Sequence, residues 1–204
     1  MRLARCRFLN RRPVTGPWFR AIRPQFFHTV LAYMHTATIP GRFNGGTIQH
    51  PGFPVLYLAE DHLVALFEVS ALLGSPLPGQ AFLPNPNQPW TVVPVDVQLS
   101  RIADLTRISQ RRLVETTVQE LTGDWRGYTL RNPNPPLGPP YWTNVPTQRL
   151  GAALHAVKGL EGFLTYSAKV PTRRNLVVFP TRLRTGSFIR FTDPASGQVY
   201  SIPP

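Results

Sequence analysis

An arginine bracketed by glycines, in Gly41-Arg42-Phe43-Asn44-Gly45-Gly46, precedes Tyr57 in one apolar run and Glu68 in the next. A guanidinium is planar and permanently charged, and it can hold two phosphate oxygens at once. Flanking glycines open backbone conformations closed to other residues and let a bulky anion approach the main chain. A tyrosine ring can stack on a nucleobase or on nicotinamide. A carboxylate can support a sugar carbon as it gains positive charge, the logic of glycosidic cleavage. Together these parts suit binding a phosphorylated nucleoside and breaking a bond at its sugar. Taken singly they have plainer readings: Arg42 as a solvated loop cation and Tyr57 as a half-buried strand residue.

The elements that must position them follow from the apolar pattern. Phe53 to Ala59 reads as a buried strand, and residues 60–73 read as a helix stopped by Gly74. Glu60 and Asp61 fall in the first turn of that helix, where the dipole favours negative charge. Glu68 has Val64 and Ala65 one turn before it and Ala71 and Leu72 one turn after. It either sits among apolar neighbours and needs a partner, or shares an exposed stripe with Asp61; periodicity leaves both open. Trp18 to Arg23 alternates as a first strand carrying Arg20. Trp90 to Leu99 reads as a strand in which Pro94 marks an edge or bulge. Ser109 caps an expected helix running to about Leu121. A short helix over Thr147–Val157 and strands at Gly162–Tyr166, Asn175–Phe179 and Ser187–Phe191 complete the pattern, with proline-rich loops at 75–89 and 131–141. Many short strands with about three helices predict the α+β class.

The 204 residues suit one domain, with 42% hydrophobic residues for its core. The net charge is +12, and Lys158 and Lys169 are the only lysines. Such an excess of arginine fits nucleic acid, an acidic protein partner, a polyanionic substrate or the codon bias of a GC-rich genome. Its scatter along the chain argues against direct nucleic-acid binding. The single cysteine, Cys6, rules out an intrachain disulfide, and a cytoplasmic location is expected. No uninterrupted apolar run approaches the length of a membrane helix, so no membrane contact is expected. Residues 1–16 are rich in arginine, free of carboxylates and without an apolar signal core. They are expected to form a flexible basic arm before a domain over 17–204. The histidines (His28, His35, His50, His62 and His155) form no HExxH or Cys/His pattern, so no metal is expected. There is no nucleophile elbow, P-loop, dinucleotide glycine fingerprint or RNP motif.

The ordered set of short motifs resembles the RES-domain family, the toxin half of bacterial toxin–antitoxin pairs. Trp18-Phe19-Arg20-Ala21 matches the opening arginine strand, and Gly41-Arg42-Phe43-Asn44 the G-R-W-N turn, with Phe for Trp. Tyr57-Leu58-Ala59 with Ala65 and Glu68 is similar to the Y-x-A…A-x-x-E stretch. Asp124-Trp125-Arg126, Gln148-Arg149-Leu150-Gly151 and Ser167-Ala168 followed by Asn175 resemble the later segments. The likeness spans about residues 18–180. Departures are the added Ile48-Gln49-His50-Pro51 between Arg42 and Tyr57, and Tyr166 where proline commonly precedes the serine.

The resemblance implies an ADP-ribosyltransferase-like fold with small twisted, mostly antiparallel sheets, which consumes NAD as substrate and carries no other cofactor. It implies that Arg20 and Arg42 hold phosphates or ribose, that Tyr57 stacks on nicotinamide or orients the ribose, and that Glu68 stabilises the oxocarbenium-like state. Ser167 would hydrogen-bond substrate or fix Glu68, and Asn44 would join the substrate-binding set. The implied partner is an Xre-like antitoxin with a helix-turn-helix domain. The rival reading is a basic α+β module that binds nucleic acid or an acidic protein without catalysis.

Overall fold

The computed structural model describes residues 1–69, 89–125, 127 and 145–203. The expected loops at 75–89 and 131–141 lie almost wholly outside the described residues. Among the described residues seven strands form one sheet: β1 (Arg11–Ile22), β2 (Leu56–Ala59), β3 (Thr91–Asp104), β4 (Gly162–Tyr166), β5 (Arg174–Val178), β6 (Phe188–Thr192) and β7 (Val199–Ile202). The order β1-β2-β5-β4-β3 closes on itself because β3 also pairs with β1, and β6 and β7 extend from β3. The small twisted sheets implied by the resemblance are therefore one closed barrel with a two-stranded extension. All pairings are antiparallel except β3 with β4.

Alternation in β3 gives it one inner and one outer face. Val93, Val95, Val97 and Leu99 are buried on one face while Pro94, Asp96, Gln98 and Ser100 point out. Pro94 lies opposite Phe19 of β1, in the stretch of β3 that has β1 as its single neighbour among the described residues. Its missing N–H therefore breaks no ladder. β4 and β5 are buried on both faces. Leu164 and Leu176 join the core around Trp18, Leu56, Leu58 and Val95. Phe163 and Val177 join a second core with Phe43, Leu150, Leu154 and Phe179. Both strands therefore carry apolar side chains on both faces.

The expected flexible arm over 1–16 is corrected by this packing. A 3₁₀ turn over Leu3–Phe8 buries Cys6, Leu9 is buried beside it, and β1 already begins at Arg11. The apolar residues among the arginines (Leu3, Cys6 and Leu9) carry that segment into the second core. The single helix expected from Ser109 to Leu121 is two: α2 (Ile108–Val114) and α3 (Val118–Thr122). Glu115 breaks them with φ 53, and Thr117 and Glu120 form a capping box that starts α3. The helix expected over 60–73 is described as α1 (His62–Glu68), capped by Asp61 accepting from the Val64 amide. The last helix, α4, spans Pro146–His155.

One buried carboxylate ties the far end of the barrel together. Glu161 is 0% exposed, and its Oε2 accepts from Ser100 N (2.8 Å), Ser100 Oγ (2.8 Å) and Arg101 N (2.7 Å). Its Oε1 accepts from Arg184 N at 2.9 Å. Burial pushes its pKa up, but hydrogen bonds, from Ser187 and the Arg184 amide first, outweigh this and hold it below the ordinary carboxylate value. Its contribution to stability is thus present above the unfolded-state pKa and is lost as pH falls through the lower folded value. Glu161→Gln is expected to cost about 2–4 kcal/mol at neutral pH. Urea unfolding should show the gap between variant and wild type narrowing at acid pH.

Candidate active site

The glycine-bracketed turn is held from three sides. Asn44 is 1% exposed, and its amide donates to Thr36 O (2.6 Å) and Ile39 O (3.0 Å). Its Oδ1 accepts from the Tyr57 hydroxyl at 2.6 Å, and that hydroxyl accepts from Phe43 N at 3.1 Å. From α4, Gln148 Nε2 donates to Gly41 O at 2.8 Å. Gly151 of α4 packs directly on the Phe43 carbonyl, where a β-carbon would have no room. The resemblance of Gln148-Arg149-Leu150-Gly151 to a family motif therefore has a physical reason: those residues seat the turn. The added residues 48–51 fold back on themselves, with Thr47 N donating to His50 O (2.9 Å) and Gly52 N to Ala37 O (2.7 Å).

A cavity of about 500 Å³ opens beside this turn. Its lining includes Arg20, Arg42, Tyr57, Glu68, Asn175 and Trp125. Arg20 projects from the face of β1 that also carries Trp18 and Ile22. It donates to the carbonyls of Val30 and, at 3.1 Å, Ala32. Burial lowers its pKa to about 10, so it remains a cation at neutral pH. Arg42 donates to the carbonyls of Gly123 and, at 3.4 Å, Leu121, at the C-terminal end of α3. Burial raises the pKa of Tyr57 more than its hydrogen bond from Phe43 and the nearby Arg42 charge lower it. The phenol is therefore neutral and serves as donor and acceptor rather than as a base. Burial first, then the charge of Arg20, keeps His35 at the rim below its ordinary pKa, so it is uncharged at neutral pH.

Glu68 is the last residue of α1, on the stripe with Val64 and Ala65 that packs against Phe19 and Ala21. Of the two readings open at the sequence level, it follows the one that requires partners. Its Oε1 accepts from Ser167 Oγ (2.5 Å), Ala168 N (3.0 Å) and Asn175 Nδ2 (2.8 Å). Ser167 Oγ itself accepts from Val170 N at 3.0 Å, which directs its proton to Glu68. All three bonds fall on one oxygen, so the carboxylate is fixed in orientation while Oε2 is not used by them.

The structure thus brings Arg20, Arg42, Tyr57 and Glu68 to one cavity. Ser167 is 0% exposed, lies behind Glu68 and fixes it. Asn44 is a correction: its side chain is taken up by the turn and does not line the cavity, because its amide donates to the Thr36 and Ile39 carbonyls and its Oδ1 accepts from the Tyr57 hydroxyl. Further cavity residues outside the expected set are Asn175, Trp125, His35 and Lys169. Among the described residues the buried Oδ1 of Asn175 has no hydrogen-bond partner, an acceptor left over beside Glu68. The Asp124-Trp125 and Ser167-Ala168…Asn175 motifs marked two of these positions. Nothing in the sequence pattern distinguishes His35 or Lys169.

The RES domain model matches residues 17–194, and the chain belongs to the RES domain family. Among solved structures it is similar to a chain of the M. tuberculosis MbcT–MbcA toxin–antitoxin complex, at TM-score 0.62 and 18% identity. The match covers 98% of this chain and 90% of that one, which extends the shared fold over the N-terminal segment as well. No curated protein matches the sequence. No helix among the described residues is long and apolar enough to cross a membrane.

Two glycines test the turn. A β-carbon on Gly41 would meet Asn44 Oδ1 at 2.5 Å and the Tyr57 hydroxyl at 3.0 Å, both side-chain atoms. One on Gly151 would meet the backbone of Phe43. Gly41→Ala is expected to cost about 1–3 kcal/mol, and Gly151→Ala more, because a main-chain carbonyl cannot rotate away. Denaturant midpoints of the two variants measure the order.

Proposed function

We propose that this protein is the toxin of a toxin–antitoxin pair, has an ADP-ribosyltransferase-like catalytic fold, and cleaves the nicotinamide–ribose bond of NAD. The observation that carries this reading is the Glu68 carboxylate, clamped on one oxygen at the wall of a cavity that also holds two arginines and a neutral tyrosine. The volume suits a dinucleotide, and Arg20 and Arg42 supply the charge its pyrophosphate requires. Tyr57 and Trp125 offer ring faces for nicotinamide.

The chemistry asks little of the protein in proton transfer. The bond from the ribose carbon to the pyridinium nitrogen breaks, its electron pair stays with nitrogen, and nicotinamide leaves neutral. Positive charge develops on the ribose, where Glu68 stabilises it electrostatically. An oxygen of water or phosphate then bonds to that carbon, and the proton of the acceptor passes to solvent. Catalysis rests on positioning and on a charge oriented in advance. Acting on cytoplasmic NAD, such an enzyme depletes the pool and must be silenced. An antitoxin with a helix-turn-helix domain, seated over the cavity mouth, would do so.

Glu68→Gln preserves the shape of the side chain and removes its charge. It is expected to fold like wild type and to lose about 10²–10³-fold in NAD turnover. Turnover within a factor of a few of wild type would overturn the assignment. Arg42→Lys keeps the charge but loses the planar fork, and KM for NAD should rise more than kcat falls. Steady-state kinetics with nicotinamide release as readout separates the two.

A further inference from the structure

The opposite end of β1 carries a feature that the cavity does not explain. Arg11 and Arg20 mark the two ends of that strand, roughly 30 Å apart at the rise of extended chain. At the Arg11 end, the Nη1 atoms of Arg101 (3.7 Å), Arg184 (3.8 Å) and Arg11 (4.0 Å) surround the point where a β-carbon on Gly159 would stand. Among the described residues none of these three guanidinium groups makes an ion pair or a hydrogen bond. The nearby carboxylate, Glu161, is fully buried and spends its oxygens on main-chain amides and Ser100. Two of those amides belong to Arg101 and Arg184, so the buried carboxylate fixes the backbone from which both side chains project. Gly159 has φ 72 and no side chain, and the meeting point stays open. The adjoining hollow, lined in part by Arg7, Arg11 and Lys158, extends the positive field.

Three like charges gathered at one open point, on a backbone braced from beneath, form the complement of a multiply charged anion. We propose that Arg11, Arg101 and Arg184 form a second anion site, which takes a phosphate-class oxyanion carrying more than one negative charge. Guanidinium groups present paired N–H donors in the geometry that phosphate oxygens accept. The site is independent of the reading of the NAD cavity. It lies at the far end of the barrel and uses none of the cavity residues.

Thermal unfolding of the full chain with inorganic pyrophosphate as the probe tests it. Wild type is expected to gain at least about 2 °C in Tm at millimolar pyrophosphate. The double variant Arg101→Gln, Arg184→Gln should lose that gain, because its exposed side chains carry the site and not the core. A nucleoside diphosphate binding more tightly than pyrophosphate would assign the source to a nucleotide, and equal binding to the free anion; both require the loss in the double variant. Gly159→Asp places a carboxylate at the meeting point, and Gly159→Asn carries the same backbone strain without charge. The Asp variant should melt above the Asn variant at low salt, with the difference shrinking at 1 M salt. No pyrophosphate effect on wild type, a full effect retained in the double variant, or equal melting of the two Gly159 variants would each overturn the site.

Discussion

The Glu68 carboxylate is useful only where the ends of β4 and β5 meet it. Helix α1 contributes the acid, and donors a hundred residues downstream orient it: Ser167, the Ala168 amide and Asn175. That convergence requires β2 to pair with β5 and β5 with β4, with Asn175 opposite both Ala59 and Thr165. It also requires α1 to lie on β1 through Val64 and Ala65. A slip of one residue between β4 and β5 would turn Asn175 to the other face and leave the carboxylate without one of its donors. The register of the barrel and the orientation of the acid are one constraint.

The barrel divides its labour along its axis. At one end, Asn44, the Tyr57 hydroxyl and Gln148 immobilise the turn that presents Arg42. At the other, Glu161 pins β3, the start of β4 and the turn before β6. Both ends use buried polar side chains to satisfy main-chain groups, the arrangement in which a low-dielectric interior favours a single geometry. The difference is what they present outward: a lined cavity with a fixed carboxylate in one case, clustered guanidinium groups in the other.

Much of the site was legible because its residues carry chemistry that a helix or strand has no structural need for. Arg42 between glycines, Tyr57 in an apolar strand and Glu68 beside Val64 and Ala65 stood out on residue type and spacing, and the motif order supplied the family. The strands at Gly162–Tyr166 and Asn175–Phe179 were equally plain. Other features were hidden for physical reasons. Closure of the barrel depends on long-range pairing of β1 with β3, which no local pattern announces. The leading segment looked disordered because its arginines mask Cys6 and Leu9, which anchor it. The resemblance implied Asn44 as a ligand group, but a motif match does not reveal direction, and its amide faces inward. The break between α2 and α3 was signalled by Thr117 and Glu120, a capping pair that a longer helical pattern overran.

The central claim is that this cavity holds NAD and that its fixed carboxylate assists loss of nicotinamide. Purified wild-type protein incubated with NAD, followed by mass analysis of the products with and without phosphate, tests it most directly. The account predicts free nicotinamide together with ADP-ribose, or its phosphorylated counterpart when phosphate is the acceptor. Recovery of NAD intact under both conditions would contradict it.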